Sequence, residues 1–261
     1  MMNRRMFTTA LAAGVATSLF ARPVFAQATG TQTSFKVRNV VLVHGAYADG
    51  SCWLDVITRL QAAGLTAMAV QNPLTSLADD VAATNRILDL QDGPTVLVGH
   101  SWAGMVISEA GVHPKVASLV YIAARAPDAG EDFAALAAKF PTPPASAGLV
   151  KSGDYAELSE EAFLRDFAGD VDPARARALY AVQGRISTSL FAGRTSHAAW
   201  REKPSYYAVS TEDRTINPDF ERFLAKRMNA KTIELKASHL SLISQPDAVA
   251  NLILEAAGKT A

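Results

Sequence analysis

The run Pro94 to Val98 is short, largely apolar and rich in β-branched residues; it breaks at Gly99-His100-Ser101-Trp102-Ala103-Gly104 and resumes with Met105, Val106, Ile107 and Ala110 at helical spacing. A buried strand that passes into a helix through so few residues leaves room for only a tight corner. Ser101 stands at that corner and is expected at positive φ. Two positions before and after it only small side chains fit, and the chain has Gly99 and Ala103 there. A hydroxyl raised on such a bend is open to attack a substrate. The next backbone N–H, that of Trp102, points at the same space, and the helix start adds positive dipole for a developing negative charge.

The rest of the chain repeats the strand-then-helix pattern. Val37 to Val43 reads as a strand covered on both faces and ends in the glycine-bearing loop His44-Gly45-Ala46-Tyr47-Ala48-Asp49-Gly50. Trp53, Val56, Ile57 and Leu60 recur at helical spacing up to Gly64. Leu65 to Val70 is a strand, and Ser76 with Asp79 starts a helix over Leu77 to Leu90 in the manner of a capping box. The helix after Ser101 stops near His113-Pro114, because proline disfavours helix at the residue before it, and Val116 to Ala124 is another buried strand. Such an order predicts an α/β fold: a mostly parallel central sheet with helices on both faces. From 126 to 203 the alternation lapses. Helical patches at Phe133 to Phe140, Phe163 to Phe167 and Ala174 to Tyr180, set apart by prolines and glycines, predict an inserted helical cap. The sheet resumes with a strand over Pro204 to Ser210, a helix over Pro218 to Met228, a strand over Lys231 to Leu235 and a closing helix around Asp247 to Ala256. The core is thus expected over 37–125 and 204–261.

Ahead of the core, Arg4-Arg5, a stretch from Leu11 to Phe20 without acidic residues, and Val24-Phe25-Ala26 have the parts of an export signal over residues 1–26. Paired arginines followed by Phe7 resemble a twin-arginine signal, which implies a bacterial periplasmic or secreted protein; residues 27–36 read as a linker. The leader holds three of the 25 basic residues and none of the 25 acidic ones, so the chain without it carries a formal −3. That balance argues against nucleic acid and against stable association with an anionic membrane. Composition leaves the oligomeric state open. The lone Cys52 reads as a small packed side chain. A His-Glu-x-x-His run, a cysteine cluster and a phosphate-cradling glycine loop with lysine are all missing from the sequence, so neither metal nor cofactor is expected.

The Ser101 corner resembles the nucleophile elbow of the α/β-hydrolase family, with Ala103 where the usual Gly-x-Ser-x-Gly pattern has its second glycine. Val-Leu-Val-His-Gly-Ala, the nearby Trp53, Gly-His-Ser-Trp-Ala-Gly and Tyr121-Ile122-Ala123-Ala124 together look like the branch that contains plant methylesterases and hydroxynitrile lyases, over about residues 37 to 257. The resemblance implies an oxyanion hole made by the backbone N–H groups of Ala46 and Trp102. It also implies a triad in the order Ser, Asp, His. Of the five histidines, His239 follows the last strand and comes after a carboxylate that itself follows a strand, which makes it the expected base. Asp213 stands where the family has its acid; neighbouring Glu212 and the earlier Asp128 are the alternatives. Hydroxynitrile lyases of this type carry a lysine after the histidine and a hydroxylated residue after the first loop histidine. Leu240 and Gly45 occupy those places, which counts against cyanohydrin cleavage.

The expected activity is hydrolysis of a small, largely apolar carboxylic ester or lactone through an acyl-enzyme. Cofactor-free haloperoxidase or peracid chemistry on the same triad, and a ligand-binding protein of the same fold with little turnover, are the alternatives. Tyr47, Trp102, Phe133, Phe191 and Trp200 are candidates to line its pocket.

Overall fold

The computed structural model describes residues 36–258. The leader expected over 1–26, and all but the last residue of the linker expected over 27–36, lie outside the described residues. The first half of the core runs β1 (Asn39–Val43), α1 (Leu54–Ala62), β2 (Thr66–Val70), α2 (Leu77–Asp89), β3 (Thr95–His100), α3 (Ala103–Ala110) and β4 (Val116–Ile122). An insertion follows, with α4 (Phe133–Ala137), β5 (Leu149–Ser152), β6 (Tyr155–Leu158), α5 (Glu160–Ala162), α6 (Pro173–Ala181) and β7 (Ile186–Ser187). The core closes with β8 (Ser205–Ser210), α7 (Pro218–Arg227), β9 (Lys231–Leu235), α8 (Ser241–Ser244) and α9 (Pro246–Ala256).

Six strands pair in the order β2-β1-β3-β4-β8-β9, every pair parallel. Every residue of β1 and β3 is buried, whereas the edge strands β2 and β9 are partly exposed. This accounts for the unbroken apolar runs at the centre of the sheet and their absence at its margins. The order reverses between β1 and β3: one connection leads outward to β2, and the next crosses back. Right-handed crossovers then put α1 on one face and α2 with α3 on the other. The crevice this opens lies beyond the carboxyl ends of β1 and β3. Val43 pairs with Gly99, so the loop that starts at His44 and the corner at Ser101 leave the sheet side by side.

The insertion differs from a purely helical cap. Besides its short helices and a π-turn over Phe163–Phe167, it holds an antiparallel sheet in the order β5-β6-β7. Those strands have two to four residues and expose much of their surface, so they produce no apolar run.

Candidate active site

Ser101 lies at φ 55°, in the left-handed region, as the corner requires. Its amide donates to Ile122 O (3.1 Å) and its carbonyl accepts from Arg125 N (3.0 Å), so the bend is fixed to the end of β4 on both sides. Two glycines permit this. A Cβ on Gly45 would stand 2.6 Å from Ser101 Cβ, and one on Gly104 would stand 1.7 Å from the Arg125 carbonyl oxygen. The loop after β1 can therefore lie against the serine, and the first turn of α3 against β4.

The loop itself is held by His44. Asn72 N donates to His44 Nε2 (2.9 Å), which leaves Nδ1 to carry the proton and donate to Gly45 O (2.9 Å). Burial lowers the His44 pKa and keeps the ring neutral. Ala46 and Trp102 both line the cavity that Ser101 faces, and no acceptor among the described residues takes the Ala46 amide. The Trp102 indole donates to Asp80 Oδ2 (2.8 Å), whose other oxygen accepts from Leu74 N (2.9 Å). Asp80 is fully buried. Burial pushes its carboxyl up to about 6 while the two N–H donors pull it the other way.

His239 stands in the loop after β9, tied to the loop after β8 by Thr211 N to Leu235 O (2.8 Å) and Glu212 N to Ala237 O (3.0 Å). Its Nδ1 lies 2.5 Å from Asp213 Oδ2, and both side chains are sealed from solvent. Asp213 Oδ1 accepts from Thr215 N (2.6 Å) and Ile216 N (2.9 Å), so the carboxylate is held at both oxygens. A carboxylate acceptor fixes the tautomer: Nδ1 carries the proton and Nε2 keeps its lone pair. That Nε2 is buried with no hydrogen-bond partner among the described residues. The ring packs against Phe167 and His100, with centroids 5.1 and 4.7 Å away. His100 Nε2 donates to the His239 carbonyl (3.0 Å) and supports the loop from below.

The alternative acids lie elsewhere. Glu212 points to Lys236 at 3.8 Å and is half exposed, and Asp128 is bound to Arg201. His113 and His197 sit at the surface beside Asp89 and Glu109. Of the aromatic residues expected to line a pocket, Tyr47, Trp102, Phe133 and Phe191 do so, whereas Trp200 is turned away and donates to Pro127 O (2.7 Å). The cavity holds about 410 Å³, and its walls are mostly apolar.

Three charged residues near the site are not evident from the sequence. Asp80 is one. Glu221 is fully buried on α7; its Oε2 accepts from Ser210 N (3.0 Å), and burial, then the charge of Asp213, raises its carboxyl well above the usual range. Arg125, the third, lines the cavity. The only signal for Glu221 is its place beside Phe220 and Leu224 on the buried face of an amphipathic helix. Among the described residues, no group of three or more His, Cys, Asp or Glu side chains is arranged to hold a metal ion.

Known proteins share this architecture. The model of the Alpha/beta hydrolase family matches residues 40–252. Alpha/beta hydrolase nvfD of Aspergillus novofumigatus is 25% identical over 242 residues, which cover 84% of this chain and 96% of that protein. Methylesterase 7 of Arabidopsis thaliana is 26% identical over 257 residues, 86% of this chain and 98% of its own, so a plant methylesterase is among the relatives, as the motifs implied. The crystal structure of a pyrethroid hydrolase from Sphingobium faniae JZ-2 superposes with a TM-score of 0.71 at 24% identity, covering 85% of this chain and 98% of that one; its fold is the same.

Proposed function

The chain belongs to the alpha/beta hydrolase family, and from that premise we propose that it is a carboxylic-ester hydrolase working through Ser101, His239 and Asp213. The observation that carries this reading is the buried Asp213–His239 pair, which leaves the imidazole a free lone pair on Nε2. A serine hydroxyl is a poor nucleophile at neutral pH and needs such a base. In the proposed cycle, His239 Nε2 takes the Ser101 proton as Oγ bonds to the ester carbonyl carbon. The carbonyl oxygen becomes an oxyanion and is received by the N–H groups of Ala46 and Trp102. The imidazolium, steadied by Asp213, then protonates the leaving alkoxide as the carbon–oxygen bond breaks. Water attacks the acyl-enzyme with His239 again as base, and Ser101 is regenerated.

The mostly apolar cavity suits a small ester with an apolar body. Methylesterase 7, named for ester hydrolysis, supports the reaction class. Labelling with a fluorophosphonate probe tests the nucleophile: the adduct is expected on Ser101 and absent from Ser101→Ala. That variant is also expected to lose up to about a million-fold in kcat on p-nitrophenyl esters. Normal hydrolysis by Ser101→Ala would remove the proposal.

A further inference from the structure

Arg125 lies three residues past the end of β4, and its amide is bonded to the Ser101 carbonyl at 3.0 Å, so its Cα is fixed beside the proposed nucleophile. Its half-buried side chain lines the same cavity as Ser101, Tyr47 and Trp102. The guanidinium carbon sits 4.2 Å from the Phe191 ring centroid and 5.6 Å from those of Trp102 and Phe133. Aromatic faces stabilise a cation from above and below, but they leave the N–H donors at the edge of the guanidinium unused.

Those donors have no acceptor among the described residues: Arg125 takes part in no ion pair, and no carbonyl, hydroxyl or carboxylate receives its N–H groups. The two other arginines stacked on rings among the described residues differ. Arg201, 4.6 Å from the Trp200 centroid, is paired with Asp128, and Arg227, beside Trp200 and Phe223, is paired with Glu131 at 2.7 Å. Where this chain stacks an arginine elsewhere, it supplies a carboxylate from its own side chains. At the cavity wall it does not.

A guanidinium does not escape this by losing its proton. Burial brings the Arg125 pKa down to about 10, which still leaves it charged at neutral pH. A desolvated cation beside apolar walls attracts an anion that can enter, and a planar fork of N–H donors fits a carboxylate with two parallel hydrogen bonds.

We propose that Arg125 is a specificity-determining residue that binds a carboxylate on the substrate, so that the preferred esters are half-esters of short dicarboxylic acids with an apolar linker. This rests on the ester-hydrolase reading above. The acyl carbonyl sits at Ser101, the linker lies along the apolar wall, and the free carboxylate meets the Arg125 fork. The class of reaction that supplies such a substrate is one that esterifies or opens a dicarboxylic acid derivative at one end only.

The test compares kcat/KM for the monomethyl esters of succinate, glutarate and adipate with that for neutral methyl esters of the same length. The wild-type protein is expected to favour the charged member of the best pair by about 100-fold or more, about what a buried charge-assisted pair provides. In Arg125→Met the charged-to-neutral ratio is expected to fall about 100-fold, and in Arg125→Lys by less. Free glutarate is expected to slow fluorophosphonate labelling of the wild-type protein, which reads the site without any variant. An unchanged ratio, with both rates falling together in Arg125→Met, would assign Arg125 to packing alone and overturn the proposal. So would a wild-type protein that is labelled and hydrolyses neutral esters with no preference for the charged ones. If instead Ser101 is not labelled and no ester is cleaved, the ester-hydrolase reading fails, and glutarate binding measured by calorimetry, lost in Arg125→Met, decides the anion site by itself.

Discussion

Asp213 can hold only one kind of partner on each oxygen. Oδ1 is occupied by two backbone N–H groups and Oδ2 faces His239 Nδ1. An asparagine that keeps its oxygen toward Thr215 and Ile216 turns its NH₂ group toward His239. The imidazole must then accept at Nδ1 and carry its proton on Nε2, the wrong tautomer for a base. On the proposed mechanism Asp213→Asn lowers kcat by about four orders of magnitude with circular dichroism unchanged. Glu212→Gln, whose half-exposed side chain faces Lys236, stays within a few-fold of wild type; the reverse ranking in steady-state assays would move the acid to 212. Glu221 behaves differently. Burial and the charge of Asp213 hold its carboxyl above the usual range, and its Oε2 is the acceptor for Ser210 N; the isosteric Glu221→Gln keeps an oxygen there and is expected to cost under about 1 kcal/mol in urea unfolding, whereas Glu221→Ala leaves the buried Ser210 N–H unpaired and a cavity behind, at about 2–4 kcal/mol. Ser101, Asp213 and His239, the residues of the proposed triad, each follow a strand, and that order is visible in the sequence. Asp80, Arg125 and Glu221 are not visible there, since an isolated charge in a periodic segment reads as a solvated face until tertiary packing closes over it.

At the scale of the element, the bend at Ser101 depends on contact between α3 and the end of β4. Gly104 is where that contact is closest. The atom in the way of a Cβ at 104 is the Arg125 carbonyl oxygen, with the Arg125 carbonyl carbon and amide nitrogen behind it, so no side chain can rotate aside. Gly104→Ala is therefore expected to destabilise by about 3 kcal/mol and to reduce ester turnover along with stability, measured by urea midpoint and kcat on the soluble fraction. Recovery of wild-type stability in that variant would show that α3 can shift freely. Element boundaries followed the local chemistry wherever it was strong. The Ser76 hydroxyl does cap α2, accepting from Asp79 N at 3.1 Å, and β9 spans Lys231 to Leu235 as its pattern indicates. The insertion was less legible, since β5 to β7 are too short and too exposed to leave a period of two.

Across the whole molecule, Asp80 joins three separate parts of the core. It lies on α2, receives the amide of Leu74 from the preceding loop, where the backbone is held at φ 57°, and receives the indole of Trp102 at the start of α3. Its ionisation is therefore coupled to global folding. In the unfolded chain the carboxyl titrates near its ordinary value, and in the folded protein it titrates near 6 because burial disfavours the charge. Between those values the folded state binds more protons than the unfolded one, so the Asp80 contribution to stability is fully present below about pH 4 and is lost as pH rises through about 6. The difference between an ordinary carboxyl and one that titrates near 6 corresponds to about 3 kcal/mol. Asp80→Asn cannot ionise, and it gives up one of the two N–H partners at every pH, which adds a constant offset. The wild-type minus Asp80→Asn difference in unfolding free energy is thus expected to shrink by up to about 3 kcal/mol between pH 4 and pH 7, with most of the change centred below pH 6. Urea titrations of both proteins at half-unit intervals measure it directly. A difference that stays flat across the range would mean that Asp80 keeps an ordinary pKa, with its two N–H donors offsetting the cost of burial in full.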